Sequence, residues 1–256
     1  MSPTLILTAT ITPPPGVPEL TRTDPAIRLN DYLTAFEFYL KVPSQVLPRI
    51  VFAENSASDV SRFRELADRF GQGKEVFITS ANWNDHPASY GRAYGEMKLL
   101  DKIMTEFPPV ADLPNEALLW KGTGRHILKN IEPLIRTAPP SYDLYCDLKN
   151  RPIPWFDMRF FSFSVAGYRR FFLGRYPDVR DGFSFEEPRS REVAEMMIRR
   201  WIGDQLPDQR ICPRFRVEPF IQGIRGWDNQ PYARGKGLAK FVVRNVGRRV
   251  APKLWI

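Results

Sequence analysis

Apolar positions in this chain come in short blocks that alternate between strand-like runs and helix-like spacing. Leu5 to Ile11, rich in Leu, Ile and Thr and stopped by prolines, reads as a first strand. Ile27 to Leu40 reads as an amphipathic helix, with Ile27, Leu33, Phe36, Phe38 and Leu40 on its apolar side. Arg49 to Ala53 is a second strand that stops at Glu54-Asn55-Ser56. Asp59 stands where it can cap a helix over Val60 to Phe70, and Glu75 to Ser80 is a third strand. After the polar loop ANWNDHPASYGRAYG, a helix from Glu96 to Phe107 carries Met97, Leu100, Met104 and Phe107 on one face. The alternation predicts an α/β domain with a mainly parallel sheet flanked by helices.

The stretch from Leu118 to Phe163 concentrates the charge chemistry. Its apolar runs end at turns that hold Lys121, Arg125, His126, Asp143, Asp147, Asp157 and Arg159. Strands that stop at polar residues suit the floor of a cleft at their carboxyl ends. Farther on, Val165 to Leu173 looks helical, and Arg189 to Ile202 reads as a helix with Val193, Met196, Met197 and Trp201 inward. A last strand is expected within Arg210 to Ile221. Gly237 to Val250 reads as a basic amphipathic helix. Lys240, Arg244 and Arg248 lie on one side, and Ala239, Val242, Val243, Val246 and Val250 on another.

Charge sharpens that division. The chain has 256 residues and a net charge of +8. From Tyr232 onward there are seven Lys or Arg and no acid, while the other 231 residues carry 30 basic and 29 acidic ones. The body is nearly neutral, which argues against a nucleic-acid-binding face there. The tail invites an anionic partner. With Lys240, Arg244, Arg248 and Arg249, and Trp255 near its end, it suits an anionic membrane surface; a packed helix with a solvated basic face is the plainer reading. Two cysteines, Cys146 and Cys212, are too few for a disulfide framework and point to a reducing compartment, expected to be the cytoplasm. The first residues are read as a strand, not a signal peptide, and no apolar run is long enough to span a bilayer.

Several constellations carry chemistry, each beside a plainer structural role. Glu54-Asn55-Ser56 offers a carboxylate and an amide to a ribose or base, or makes a helix-entry turn. Gly95 and Glu96, with Arg92 before them, place glycine and charge at a helix start, suited to phosphate; Glu96 also complements the helix dipole. Lys121-Gly122-Thr123-Gly124-Arg125-His126 lacks Walker spacing, yet its cations and glycines after a strand can hold a diphosphate. Neither His126 nor His86 is assigned a role. No Asp-x-Asp occurs; Asp157-Met158-Arg159 is the nearest analogue, with a cation in place of the second carboxylate. Asp157 is thus a candidate for catalysis or for Mn²⁺ or Mg²⁺, and Arg159 for neutralising a leaving phosphate without metal. Glu186 and Glu187, before a helix, are candidate general bases or plain capping residues.

The order LILTATITP, DPAIRLNDYLTAFEFYL, RIVFAENS, YGRAYGEMKLLDKIM, LLWKGTGRHILKNI and DMRFFSF resembles bacterial glycosyltransferase-like proteins of capsule and O-antigen synthesis. The resemblance spans roughly Leu5 to Glu187, with a weaker echo at Gly223 to Gly237. It implies a GT-A-like, Rossmann-type fold, expected over residues 1–222; the basic amphipathic segment read from the charge pattern follows over 223–256. It implies sugar transfer from a nucleotide-sugar donor to a saccharide or lipid-linked acceptor, and the basic tail would hold the protein at the inner face of the cell membrane. On this chain Thr10, Arg28, Glu54, Asn55 and Ser56 would face the nucleotide. Gly95, Glu96, Lys121, Gly124, Arg125, Asp157 and Arg159 would surround the diphosphate and sugar, and Glu186 or Glu187 would be the base. The missing Asp-x-Asp leaves a rival reading: a non-catalytic membrane-surface scaffold on a degenerate sugar-nucleotide fold.

Overall fold

The computed structural model describes residues 3–180, 193–232 and 235–250. The first half alternates as expected: β1 (Thr4–Ala9), α1 (Pro25–Leu40), β2 (Arg49–Glu54), α2 (Ser61–Phe70) and β3 (Glu75–Ser80). A short 3₁₀ turn at Ala88–Tyr90 leads into α3 (Gly91–Glu106) and the one-turn α4 (Pro108–Ala111). The central stretch holds β4 (Leu118–Thr123), β5 (Ile127–Leu128), α5 (Ile131–Arg136), β6 (Leu144–Tyr145), β7 (Leu148–Lys149), β8 (Trp155–Phe156) and β9 (Phe160–Ser164). Then come α6 (Val165–Phe171), α7 (Ala194–Gly203), β10 (Ile211–Cys212), β11 (Ile221–Gln222) and α8 (Lys236–Val250).

Seven strands form one sheet in the order β10-β6-β9-β4-β1-β2-β3. Six run parallel; β9 alone is reversed, antiparallel to both β4 and β6. This is the mainly parallel sheet flanked by helices that the alternation predicts, and a helix closes the described chain. The interior strand β1 is buried at every position, as a strand covered on both faces must be. Leu5 and Leu7 enter one core with Phe36, Phe52, Phe63 and Trp120. Ile6 enters the other with Met97, Leu100, Leu119 and Phe161. Phe52 stacks on Phe63 at 4.1 Å and meets Phe36 edge-on at 5.4 Å. Burial of each such side chain is worth about 1.5–3 kcal/mol.

Local signals explain the boundaries. Asp24 accepts hydrogen bonds from the backbone N–H groups of Ala26 and Ile27, and Pro25 follows it, so α1 begins two residues before the apolar pattern does. Tyr32, Leu33, Phe36 and Leu40 face inward, while Ile27 is exposed. α3 starts at Gly91, so Gly95 lies inside the helix and not in a loop before it. A Cβ at Gly95 would press on the His86 ring at 3.2 Å. In α7 the buried stripe is Ala194, Ile198 and Ile202, one position from the expected Val193, Met197 and Trp201. Residues 189–192 lie outside the described chain. The strand expected over 210–221 is two short pieces, β10 in the main sheet and β11 paired with β5. Pro213 and Pro219 interrupt anything longer.

The C-terminal helix is turned the other way from its expected role. Arg248 is buried: Nη2 reaches Asp147 at 2.8 Å, Nε reaches Glu218 at 2.7 Å, and Nη1 donates to the Phe215 carbonyl at 2.7 Å. Arg244 also faces Glu218, at 3.8 Å. Asp147 and Glu218 are buried carboxylates that need a cation, and α8 supplies it. Arg244 and Arg248 therefore do not form a lipid-facing charge. Lys240 remains exposed, and the Arg249 side chain lies outside the described residues. No helix among the described residues is long and apolar enough to cross a membrane.

Candidate functional site

The parallel register brings the carboxyl ends of β1, β2 and β4 to one edge: Thr8 pairs with Ala53 on one side and Thr123 on the other. The reversed β9 delivers its amino end to the same edge, with Gly122 opposite Phe160. A cavity of about 610 Å³ opens there, within the size range of small-molecule sites. Its floor is Thr8, Thr10, Glu96 and Thr123; its walls include Arg28 and Tyr32 from α1, Arg92 from α3, and Arg125 and His126 after β4. Trp155, Asp157 and Arg159 come from β8 and the turn into β9, and Arg225, Trp227 and Tyr232 close the far side.

Glu96 sits at the centre of the floor. Lys121 Nζ lies 2.7 Å from Glu96 Oε1; the lysine side chain is 0 % exposed and the glutamate side chain 22 %. Thr8 Oγ1 donates to the same oxygen at 2.6 Å and Thr123 Oγ1 at 3.2 Å. Lys121 is anchored in turn by Thr123 Oγ1 at 3.1 Å and by the Met158 carbonyl. Every hydrogen bond to the Glu96 side chain among the described residues falls on Oε1, and the residue itself lines the cavity. Burial by itself raises the Glu96 pKa. The Lys121 charge and the three hydrogen bonds outweigh it and hold the carboxyl below its ordinary value. Burial also pushes the Lys121 ammonium down, with Glu96 opposing that. The carboxylate is the firm member of the pair, and it is ionised at neutral pH.

Around that carboxylate stand cations of two kinds. Arg159 and Arg225 have acidic partners, Asp157 and Asp228. Arg28 and Arg125 have none among the described residues. Arg28 donates to the Thr10 carbonyl at 2.8 Å, the Arg22 carbonyl at 3.0 Å and Tyr32 Oη at 3.2 Å. Arg125 donates to the Ile224 carbonyl. A Cβ placed on Gly226 would meet both Arg125 Nη2 and Arg92 Nη1, so these two guanidinium groups reach the same point. Burial, with the charge of Arg28 adding to it, lowers the Arg125 pKa. Two guanidinium groups, Arg28 and Arg125, that face one cavity without a carboxylate partner among the described residues suit an anion with several oxygens.

His126 is buried, yet neither ring nitrogen has a hydrogen-bond partner among the described residues. Tyr232 meets its ring edge-on at 5.0 Å. Burial, reinforced by the charges of Arg125, Arg159 and Lys121, keeps the imidazole neutral. Its two nitrogens are thus a buried donor and acceptor with no partner among the described residues.

Of the residues expected from sequence, Thr10, Arg28, Gly95, Glu96, Arg125, Asp157 and Arg159 line the cavity together. Five others lie beneath or beside it. Glu54 is fully buried and accepts from the backbone N–H groups of Ile11 at 2.9 Å, Ser56 at 2.9 Å and Ser58 at 3.1 Å. Ser56 is bound to that same carboxylate. Asn55 ties Thr10 Oγ1 at 2.7 Å to Asn84 Nδ2 at 3.2 Å. These three build the loop scaffold and present nothing to a nucleotide. Lys121 acts through Glu96, and Gly124 is needed for close approach, since a Cβ there would fall 2.8 Å from the Thr8 carbonyl.

Asp157 also needs correcting as a base or metal ligand. Its Oδ1 accepts from Arg159 Nε at 2.7 Å, and its Oδ2 accepts from Lys149 Nζ at 3.2 Å and from Arg159 Nη2. Burial raises its pKa, but Arg159 and Lys149 overturn that and hold it far below the carboxylate range. A carboxylate so occupied, flanked by two cations, does not fit a divalent metal. Among the described residues no three His, Cys, Asp or Glu side chains converge as a metal group. Glu186 and Glu187 lie outside the described residues.

Sequence reasoning assigned no role to Thr8, Tyr32, Trp155, Arg225, Trp227 and Tyr232. Two aromatic members carried a signal: Trp155 directly follows the proline-bearing turn Arg151 to Pro154, and Trp227 stands in a polar, glycine-bearing loop.

No protein-family model matches this sequence, and no curated protein does. Solved structures do show likeness. Mouse xyloside xylosyltransferase 1 is 12 % identical with a TM-score of 0.42, over 81 % of this chain and 83 % of that one. A protein described as a glucose-1-phosphate thymidylyltransferase, from Bacillus anthracis, is 9 % identical with a TM-score of 0.40, over 96 % and 95 %. Mannose-6-phosphate isomerase from Helicobacter pylori is 12 % identical with a TM-score of 0.39, over 70 % and 77 %. At TM-scores below 0.5 none of them assigns an activity to this chain.

Proposed function

We propose that this protein is a glycosyltransferase that takes a nucleotide-sugar donor in the cavity and passes the sugar to a saccharide or lipid-linked hydroxyl. The observation that carries the reading is one juxtaposition. Arg28 and Arg125, which have no carboxylate partner among the described residues, face the same cavity as an ionised Glu96 with one unengaged oxygen. The arginines suit a diphosphate, and Trp155, Trp227 and Tyr232 suit the flat faces of a base and a sugar.

In the reaction, the acceptor oxygen forms a bond to the anomeric carbon as the bond from that carbon to the diphosphate breaks. The electron pair leaves with the diphosphate, where Arg125 and Arg28 stabilise it. The acceptor proton passes to Glu96 Oε2. Glu96 replaces Asp157 in the base role because it lines the cavity and its second oxygen has no hydrogen-bond partner among the described residues. Thr8, Thr123 and Lys121 fix the first oxygen and so aim the second. The order of sequence motifs suggests capsule or O-antigen synthesis as the setting.

A calorimetric panel of UDP-, GDP-, CMP- and dTDP-sugars, each with EDTA and with Mn²⁺, tests the reading. One donor should bind, and at 100 times its dissociation constant it should stabilise the fold by about 2.7 kcal/mol. Arg125→Ala should weaken that binding about 10–100-fold. Glu96→Gln should keep donor binding while transfer falls about 10²–10⁴-fold. Binding without transfer by the unaltered chain, across a range of acceptors, would favour the scaffold reading. Binding of no donor by a folded sample would refute the proposal.

A further inference from the structure

We propose that α8 docks the protein on an anionic lipid bilayer through its valine face, with Lys240 at the headgroup level. The helix has two unlike sides. Phe241, Arg244 and Arg248 turn inward: Phe241 packs on Phe220 at 4.8 Å and the arginines engage Glu218. The opposite side carries Leu238, Val242, Val243, Val246 and Val250, which are between 46 and 76 % exposed. A helix on a protein surface ordinarily shows the reverse arrangement. Here the buried carboxylates Asp147 and Glu218 have claimed the basic side, and the aliphatic stripe faces out.

The choice of a bilayer rests on three observations. First, charge: from Tyr232 onward the sequence has no acid. Setting aside the inward Arg244 and Arg248, it still carries Arg234, Lys236, Lys240, Arg249 and Lys253. Attraction to anionic headgroups is worth about 1 kcal/mol for each basic residue near the surface. Second, area: the five aliphatic residues offer on the order of 400 Å², about half of what each partner of a stable protein pair contributes. A lipid surface needs no complementary shape, and a helix of this kind lies along it with its apolar side immersed. Third, the sequence beyond Val250 is Ala-Pro-Lys-Leu-Trp-Ile, whose Trp255 and flanking aliphatics match the composition found at a bilayer interface. Tyr232, which lines the cavity, stands four positions before Lys236, the first residue of α8, so a docked helix places the cavity close to the membrane.

The test uses the full chain without nucleotide and stands apart from the sugar-transfer reading: each can fail while the other holds. Co-sedimentation is measured with vesicles of phosphatidylglycerol and phosphatidylcholine, and with phosphatidylcholine alone. The protein should pellet with the anionic vesicles. Val242→Asp/Val246→Asp should lower the partition coefficient at least tenfold with an unchanged melting temperature, because both sites are already exposed. Lys240→Glu should lower it about fivefold or more. Protein that stays in the supernatant with anionic vesicles overturns the proposal. So does a double variant that still pellets equally. A concentration-dependent dimer without lipid, abolished by the double variant, assigns the face to a second copy and overturns it too.

Discussion

Replacing Lys121 by methionine removes the cation beneath the cavity while filling its space. Lys121 is fully buried and donates to Glu96, Thr123 and the Met158 carbonyl. Loss of one partner of a buried ion pair costs about 3–5 kcal/mol, because the other charge is left uncompensated. Glu96 keeps some contact with cavity water, so the expected cost at pH 7 is at the low end, about 3 kcal/mol. The pH dependence separates this cause from a packing defect. In the natural chain the Glu96 pKa is lowered, so its stabilisation is complete above the ordinary carboxylate value and is lost as pH falls through the folded value. Without Lys121, burial dominates and raises the Glu96 pKa. The protonated form is then preferred, and the deficit of the variant should shrink as pH falls from 7 toward 4. Urea unfolding at several pH values measures this, with at most about 1.4 kcal/mol of recovery per pH unit for one proton. Lys121→Met/Glu96→Gln should recover most of the loss at pH 7. A loss under about 1 kcal/mol, or one that does not change with pH, would refute the account of the pair.

Arg248→Met should cost about 3–5 kcal/mol in urea unfolding at pH 7, since Asp147 and Glu218 lose their shared cation. Burial, and then the Asp147 charge, already raise the Glu218 pKa, so this deficit too should diminish toward acid pH. Gly124→Ala should destabilise by about 1–3 kcal/mol, because its Cβ meets the Thr8 carbonyl at 2.8 Å and the Tyr32 ring at 3.4 Å; a melt indistinguishable from the natural chain would contradict that geometry. Glu54→Gln should unfold more easily, with donor binding unchanged in the folded fraction, since its oxygens hold backbone amides and not the cavity.

The first half of the fold was legible because each of its strands holds an apolar run bounded by polar residues and its helices are long enough to show a period. β3 matches its expected span, Glu75 to Ser80, residue for residue. The two-residue strands β5 to β8 had no such signature, for nothing that short can display a period. At the site, position was legible and role was not. Glu54 does end a strand at the right edge. Its function as a clamp depends on Ile11, 43 residues away in sequence. Spacing likewise grouped Arg244 with Arg248 on α8 but could not say that this side faces in. The partner that decides it for Arg248, Asp147, lies 101 residues earlier. His126 was left unassigned because a lone histidine says nothing until its unpartnered nitrogens are seen.

The reversal of β9 has a consequence for how such a site can vary. A parallel strand leaves the sheet at the cavity edge, so changing the loop after it moves whatever that loop carries. β9 enters there instead, and Asp157 grips Arg159 just before the strand is locked between β4 and β6. Upstream, the β7–β8 hairpin has an exposed tip, Asn150 to Pro154, and then presents Trp155 to the cavity. Insertions and deletions at that tip can reshape the mouth while the grip on Arg159 absorbs the change. The hairpin is where a library aimed at new acceptors would be built, with Glu96 on the floor and the arginines of the walls left intact.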